Sequence, residues 1–146
     1  RRYRYRILNR RIPSPLLSGR VWHLGQNLNV VAMHDAAQLL VGKHDFTSFR
    51  ATHCQASSPI RTIDQINITE HNDEVHIAVS ARSFLHHQVR NITGSLVLIG
   101  QGKWTNADLA NALEQRQRSA AGQTAPAEGL YLTEVIYPYL TPASTG

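Results

Sequence analysis

Alternation of apolar and polar positions predicts a β-strand at the start of the chain. Over residues 1–8 tyrosine and isoleucine alternate with arginine. One face of this strand carries Tyr3, Tyr5 and Ile7, and the other carries Arg2, Arg4 and Arg6. A loop containing Pro13 and Pro15 is predicted to follow, to about Leu28.

Helical spacing predicts three α-helices. Asn29 is a suitable N-cap for the first helix, which Gly42 ends. The second helix is predicted over residues 84–99, because apolar side chains recur there at helical intervals along one stripe. The third begins at residues 105–108, which resemble a capping box, and runs to about Arg118.

Two alternating segments predict a β-hairpin in the middle of the chain. Ile66 and Ile68 lie in its first strand, residues 75–79 in its second, and 71–73 form the turn. A last strand is predicted over 130–137, and residues 139–146 are predicted to be a flexible tail.

The order of these elements predicts the fold class. Residues 43–59 read as an irregular segment, so the sequence of elements is βαββααβ. We therefore expect an α+β fold with a mixed or antiparallel sheet flanked by helices. The chain has 146 residues, of which 42% are hydrophobic and 17% charged, which indicates one globular domain and excludes a wholly disordered chain.

Cysteine content and the chain start bear on location and completeness. Cys54 is the single cysteine, which excludes an internal disulfide framework and favours a reducing compartment, so we expect a cytoplasmic protein. The apolar runs are too short to span a membrane. Because the chain begins with Arg1, inside a predicted strand, we expect it to be a piece of a longer protein.

The charge balance points to an acidic partner. Fifteen Lys and Arg residues against ten Asp and Glu give a net charge of +5. All the basic residues except Lys43 and Lys103 are arginine. Because the guanidinium group binds phosphate in a bidentate manner, nucleic acid is the partner that this composition favours.

Two segments combine basic and aromatic chemistry. In the first strand, Arg2 and Arg4 could contact phosphates while Tyr3 stacks on a base; the alternative is an edge strand with solvated arginines. In the second helix, Arg90 stands among apolar residues and needs a carboxylate or phosphate from elsewhere. We expect His86 on the same helix face as Arg90, and His87 about 100° away, which disfavours a metal site.

Other candidate motifs favour structural roles. Ser48 and His44 lack the Gly-x-Ser-x-Gly context of a hydrolase, so residues 44–50 are predicted to form a loop packed by phenylalanines. Asp64 is predicted to face solvent, and Gly129 predicts a close approach of the backbone to a neighbouring group.

Four motifs, in order, resemble one known family. Residues 1–7, 42–51, 84–96 and 124–132 are similar to the C-terminal half of the tRNA pseudouridine synthase A family, and the resemblance covers residues 1–138. The family often has methionine at the position of Gln88 and valine at that of Thr93. Its nucleophile motif, Gly-Arg-Thr-Asp, belongs to the N-terminal half and is not matched by residues 61–64.

The resemblance implies isomerisation of uridine to pseudouridine in the anticodon stem-loop of tRNA. It implies a homodimer that needs no cofactor or metal, and a chain that is inactive alone because the nucleophilic Asp is elsewhere. By the same resemblance Tyr3 stacks on the uracil and helps to remove a proton at the end, Arg90 pairs with the Asp, and Leu130 walls the base pocket. The alternation of arginine and tyrosine in the first strand adds Arg2 and Arg4 as substrate-binding residues. The alternative is a non-catalytic RNA-binding or dimerisation module.

Overall fold

A computed structural model describes residues 1–135 and contains one six-stranded sheet. The strands are β1 (Arg2–Asn9), β2 (Trp22–Leu24), β3 (Gly42–Asp45), β4 (Ile60–His71), β5 (Glu74–Ala81) and β6 (Leu130–Glu134). They lie in the order β2-β1-β5-β4-β3, and β6 pairs with β1 beside β2. The β1–β2 pair is parallel and the other pairs are antiparallel, which confirms the predicted mixed sheet.

Three α-helices flank the sheet: α1 (Val30–Ala37), α2 (Gln88–Gly100) and α3 (Asn106–Gln115). The predicted N-cap is confirmed, because the Asn29 side chain accepts a hydrogen bond from the Ala32 amide. The capping box of α3 is confirmed as well, with Thr105 and Asp108 bonded to each other's backbone amides. Short 3₁₀ turns at 38–40, 47–49, 118–120 and 127–129 connect these elements.

One face of the sheet is buried beneath α1 and α2. On β1, Tyr5 and Ile7 are fully buried on the helix side, as alternation predicted. Helix α2 is buried almost all round, and its predicted apolar stripe is within the core. Helix α1 packs on β4 and α2 contacts β1, whereas α3 packs on the turn at 47–49.

The boundaries of two helices differ from the prediction. The second helix was predicted from Phe84 but begins at Gln88, because His87 adopts a left-handed backbone conformation with φ of 63°. His86 therefore precedes the helix, and its predicted place on a helix face with Arg90 is wrong. The third helix ends at Gln115, since Arg116 is also left-handed.

Two short strands were missed. Strand β2 lies in the predicted loop and pairs with residues 7–9 of β1, and β3 lies in the segment predicted to be irregular and pairs with residues 60–63 of β4. Each is too short to show an alternating pattern, so partners distant in sequence define it. The predicted end of the last strand near Tyr137, and the tail at 139–146, lie outside the described residues.

The outer face of the sheet carries a network of charged side chains. Arg6 donates two hydrogen bonds to the Glu74 carboxylate, at 2.7 and 2.8 Å, and Glu74 also lies 3.0 Å from His76 Nε2. Hydrogen bonding from Arg6 lowers the pKa of Glu74 to about 2. The pair is mostly buried, with side-chain exposures of 24% and 18%, so solvent screens it less than an exposed pair.

We predict that Glu74→Gln removes part of the acid sensitivity of folding. The folded-state pKa of Glu74 lies below its ordinary value of 4.5, so its stabilisation is complete above that pH and disappears as the pH falls towards 2. Between pH 5 and 2 the unfolding free energy of the variant should therefore fall less than that of the wild type, by about 2 kcal/mol.

Denaturant titrations at several pH values check this expectation. Glu70→Gln, at an exposed position of the neighbouring strand, is the matched control and should retain the wild-type slope. Parallel pH profiles for Glu74→Gln and the wild type would contradict the assignment.

Candidate active site

A cavity of about 490 Å³ lies where β1, the turn before α2 and the segment 127–130 meet. Its size is within the range of ligand pockets. Tyr3, Arg90 and Leu130 all line it, so three side chains that are far apart in sequence come together in space. The remaining lining residues are Arg1, Phe84, Leu85, His86, His87, Gln88, Val89 and Ala127.

Arg90 is held by a two-way contact with Ala125. Its Nε donates to the Ala125 carbonyl at 2.8 Å, and the Ala125 amide donates to the Arg90 carbonyl at 3.1 Å. Among residues 1–135 no carboxylate lies within ion-pair distance of the guanidinium group. The terminal nitrogens of Arg90 are thus left to bind an anion at the cavity. The sequence predicts that this partner comes from another segment.

Tyr3 forms an aromatic wall of the cavity together with Phe84. The two rings meet edge to face, with centroids 5.3 Å apart and planes at 81°. Tyr3 is only partly buried, whereas Tyr5, two residues along the same face, is fully buried. Alternation predicted that the two rings share a face but could not predict which one lines a cavity.

Tyr5 has a structural role in the core next to the segment 126–130. Its hydroxyl donates to the Pro126 carbonyl at 2.6 Å, and burial raises the pKa of the phenol well above its ordinary value. A Cβ at Gly129 would lie 2.6 Å from the Tyr5 ring and 2.9 Å from the Arg6 carbonyl oxygen. The predicted close approach at Gly129 is therefore confirmed, and it brings Leu130 into register opposite Tyr5 on β1.

A turn of residues 85–88 brings two histidines to the cavity. The rings of His86 and His87 stack, with centroids 3.9 Å apart and planes at 27°. Burial, followed by the nearby charges of His86, Arg90 and Arg118, lowers the pKa of His87. Nowhere in residues 1–135 do three or more His, Cys, Asp or Glu side chains cluster closely enough to hold a metal ion.

Asn91 connects α2 to the loop that carries Ala125. Its side-chain amide donates to the Phe49 carbonyl at 2.9 Å. Its carbonyl oxygen accepts from Thr124 at 2.6 Å and from Arg118 at 3.0 Å. Asn91 is fully buried, and sequence reasoning missed it because a single polar residue in a helix carries no sign of distant partners.

The motif at residues 44–50 is structural, as predicted. Ser48 is fully buried, donates to the Ala112 carbonyl at 2.6 Å, and accepts from the Gln117 amide. Phe46 and Phe49 are also fully buried. Asp64 is exposed beside an irregularity in the β4–β5 pairing, which confirms its predicted solvent-facing position.

The structure places Arg2 and Arg4 apart from the cavity side chains. They line a second depression of about 340 Å³, on the outer face of the sheet with Gln65 and Asn67. Arg2 lies 3.4 Å from Glu134, and both side chains are about half exposed. The four residues predicted to bind substrate are therefore divided between two surfaces. Leu130 lines the cavity, Arg2 and Arg4 line the depression on the outer face, and Tyr3 contributes to both.

Comparison with known proteins identifies similar chains. A family model described as tRNA pseudouridine synthase matches residues 36–138. A relative from Rhodospirillum centenum is 58% identical over 137 residues, which cover 94% of this chain and 56% of the relative. A relative from Rhodospirillum rubrum is 53% identical over 148 residues, covering 100% of this chain and 53% of its own length.

Both relatives carry the name tRNA pseudouridine synthase A. A third relative of that name, from Mesorhizobium japonicum, is 53% identical over 138 residues. The chain spans a little over half the length of these relatives. Within residues 1–135 none of the helices combines the length and apolar composition needed to cross a lipid bilayer.

We predict that Gly94→Ala disturbs the cavity from a distance. A Cβ at Gly94 would lie within bonding distance of the Gln123 carbonyl, so the backbone leading to Ala125 must move away from α2. The unfolding free energy should fall by roughly 1–3 kcal/mol, as for an overpacked core. Urea denaturation measures this loss.

Gly25→Ala is the matched control for Gly94→Ala. Gly25 is exposed, and its nearest neighbours would lie 4.0 Å from an added Cβ. We expect a change below about 1 kcal/mol for this variant. Equal stability of the two variants would contradict the close packing of Gln123 on α2.

Proposed function

The chain belongs to the tRNA pseudouridine synthase family, and from that premise we propose that it is the C-terminal part of an enzyme that isomerises uridine to pseudouridine in tRNA. One observation carries this proposal. Tyr3, Arg90 and Leu130, which the resemblance assigns to the active site, line one cavity although they come from β1, α2 and β6. We propose residues 1–138 as this C-terminal part.

Arg90 is proposed to pair with the nucleophilic carboxylate of the family, which a preceding segment would supply. Its Nε is already used by Ala125, so the terminal nitrogens are fixed in direction and can form a charge-assisted pair. A guanidinium group beside a carboxylate lowers the pKa of that carboxylate and keeps it ionised. An ionised Asp is what nucleophilic attack requires.

Tyr3 and Leu130 are proposed to hold the extruded uracil. The Tyr3 ring offers a surface for stacking, and the apolar Leu130 side chain in the same lining would exclude water from the base. Extrusion of the base costs a few kcal/mol, which these contacts would offset. Tyr3 is also proposed to help remove the proton from the base at the end of the reaction.

The proposed reaction conserves atoms and charge. The Asp attacks the ring or the sugar, the bond between C1′ and N1 breaks, and the uracil turns within the cavity. A bond then forms between C1′ and C5, the bond to the Asp breaks and regenerates its carboxylate, the proton on C5 leaves, and N1 gains one. Within this chain, Arg90 orients the nucleophile, and Tyr3 and Leu130 limit the motion of the detached base.

The outer face of the sheet is proposed to contact tRNA phosphates. Arg2 and Arg4 project there beside the polar side chains of β4, which matches the basic balance of the chain. We further propose that the enzyme targets the anticodon stem-loop, works as a homodimer in the cytoplasm, and uses no cofactor. These features follow the family resemblance.

Pseudouridine formation tests the proposed function. The residues that precede the matched segment in the Rhodospirillum centenum relative are joined to this chain, and the product is incubated with tRNA. Nucleoside mass spectrometry after digestion should detect pseudouridine from the joined protein. RNA binding without pseudouridine would support the alternative of a non-catalytic RNA-binding module.

We predict that Arg90→Ala in the joined protein lowers kcat by roughly 100-fold or more, because the charge that orients the nucleophile is lost. The affinity for tRNA should change much less. Arg90→Lys keeps the charge but lacks the planar fork, so it should restore activity only in part. Wild-type turnover in Arg90→Ala would overturn the role of Arg90.

We predict that tRNA affinity of the chain depends steeply on salt, because arginine–phosphate contacts release counterions. Arg2→Ala and Arg4→Ala should each reduce the slope of log affinity against log salt concentration by roughly 1. Lys103→Ala, at an exposed position after α2, is the control and should leave the slope unchanged. A slope that neither arginine variant alters would exclude the outer face from RNA contact.

A further inference from the structure

We propose that the stacked pair His86–His87 is a stacking platform for a second nucleobase of the RNA, next to the uracil held against Tyr3. The inference rests on the proposed function and adds a binding subsite to it. The two histidines are the part of the cavity wall to which neither the fold nor the proposed reaction gives a role.

The geometry of the pair suits a flat ligand. The imidazole rings lie almost parallel, with centroids 3.9 Å apart, so His87 covers one face of the His86 ring. His86 is exposed and His87 is half-buried, so His86 is the ring of the pair that is more accessible to a ligand. Aromatic side chains with an open face are the surfaces on which proteins stack single-stranded bases.

Backbone hydrogen bonds fix the turn that carries the two rings. The His86 carbonyl accepts a hydrogen bond from the Ala51 amide at 3.0 Å, and the His87 carbonyl accepts one from the Asn91 amide at 2.9 Å. His87 has a φ of 63°, which a residue other than glycine adopts at a cost. Such a conformation persists where the surrounding structure fixes it, and it is typical of functional sites.

Gln88 secures the same turn from inside. The residue is 1% exposed, and its Oε1 accepts a hydrogen bond from the Leu85 amide at 2.8 Å. Because only the oxygen can accept from an amide, the orientation of the side chain is determined by this contact. The turn of residues 85–88 is thus preorganised by backbone and side-chain contacts on both sides.

The surroundings of the pair match a nucleotide rather than an isolated ring. Arg1 lines the same cavity and provides positive charge for a sugar–phosphate backbone. A second aromatic pair, Tyr3 and Phe84, stands on the same cavity wall. Burial lowers the pKa of His87, which favours the neutral form of its ring.

Binding of an anticodon stem-loop RNA to the whole chain tests the platform. His86→Ala should weaken the affinity measured by fluorescence anisotropy by roughly 5- to 10-fold, the lower part of the range for base stacking. His86→Phe keeps an aromatic ring without an ionisable group and should bind within about twofold of the wild type. His87→Asn tolerates the left-handed backbone but removes the second ring, and should resemble His86→Ala.

His71→Ala is the matched control. His71 also stacks on a histidine, His76, but lies at the β4–β5 turn away from the cavity, so its loss should leave affinity unchanged. Thermal unfolding verifies that each variant is folded. Wild-type affinity of His86→Ala, or a loss of affinity in His86→Phe equal to that in His86→Ala, would overturn the platform.

A role in proton transfer gives a different pattern. Turnover of the joined protein would then fall in His87→Asn with RNA affinity unchanged, which would also overturn the inference. The two proposals are tested by different results. Absence of pseudouridine formation by the wild-type joined protein would contradict the proposed function. Failure of the platform leaves that wild-type activity intact.

Discussion

The contact between Arg90 and Ala125 is the interaction on which the cavity depends. One hydrogen bond runs from the arginine side chain to the loop carbonyl, and the other runs from the loop amide to the arginine carbonyl. Together they fix the guanidinium direction and tie the segment before β6 to α2. Gly94 permits this approach, because the Gln123 backbone occupies the space of a side chain there. Arg90 therefore anchors the loop to α2 through Ala125, and its guanidinium group also offers a positive charge to an anion.

The two tyrosines of β1 show how one pattern supports two roles. Tyr5 is fully buried, and its hydroxyl donates to the Pro126 carbonyl, so it fixes the segment that leads to Ala127 and Leu130, which line the cavity. Tyr3 is partly exposed because β1 reaches the edge of the core there, and its ring faces Phe84 and open space. On the opposite face, arginines remain solvated or paired with carboxylates. The sheet thus separates the cavity from the basic outer surface that carries Arg2 and Arg4.

Sequence pattern predicted much of this fold, and its failures have physical causes. Alternation identified β1 and the hairpin, and capping residues identified α1 and α3, since these signals are local. Strands β2 and β3 were missed because pairing with distant partners defines them. The start of α2 was misplaced because a left-handed histidine has no sequence signature comparable to glycine. The resemblance assigned Tyr3, Arg90 and Leu130, while the contacts of Ala125 and Asn91 depend on the folded loop.

The crystal structure of the joined protein would test the central claim most directly. The quantity to measure is the distance from the terminal nitrogens of Arg90 to the carboxylate of the Asp in the Gly-Arg-Thr-Asp motif. The account predicts a separation within about 4 Å, the range of an ion pair, with both groups at the cavity that Tyr3 and Leu130 line. A carboxylate that lies outside this cavity, with Arg90 facing solvent or another partner, would contradict it.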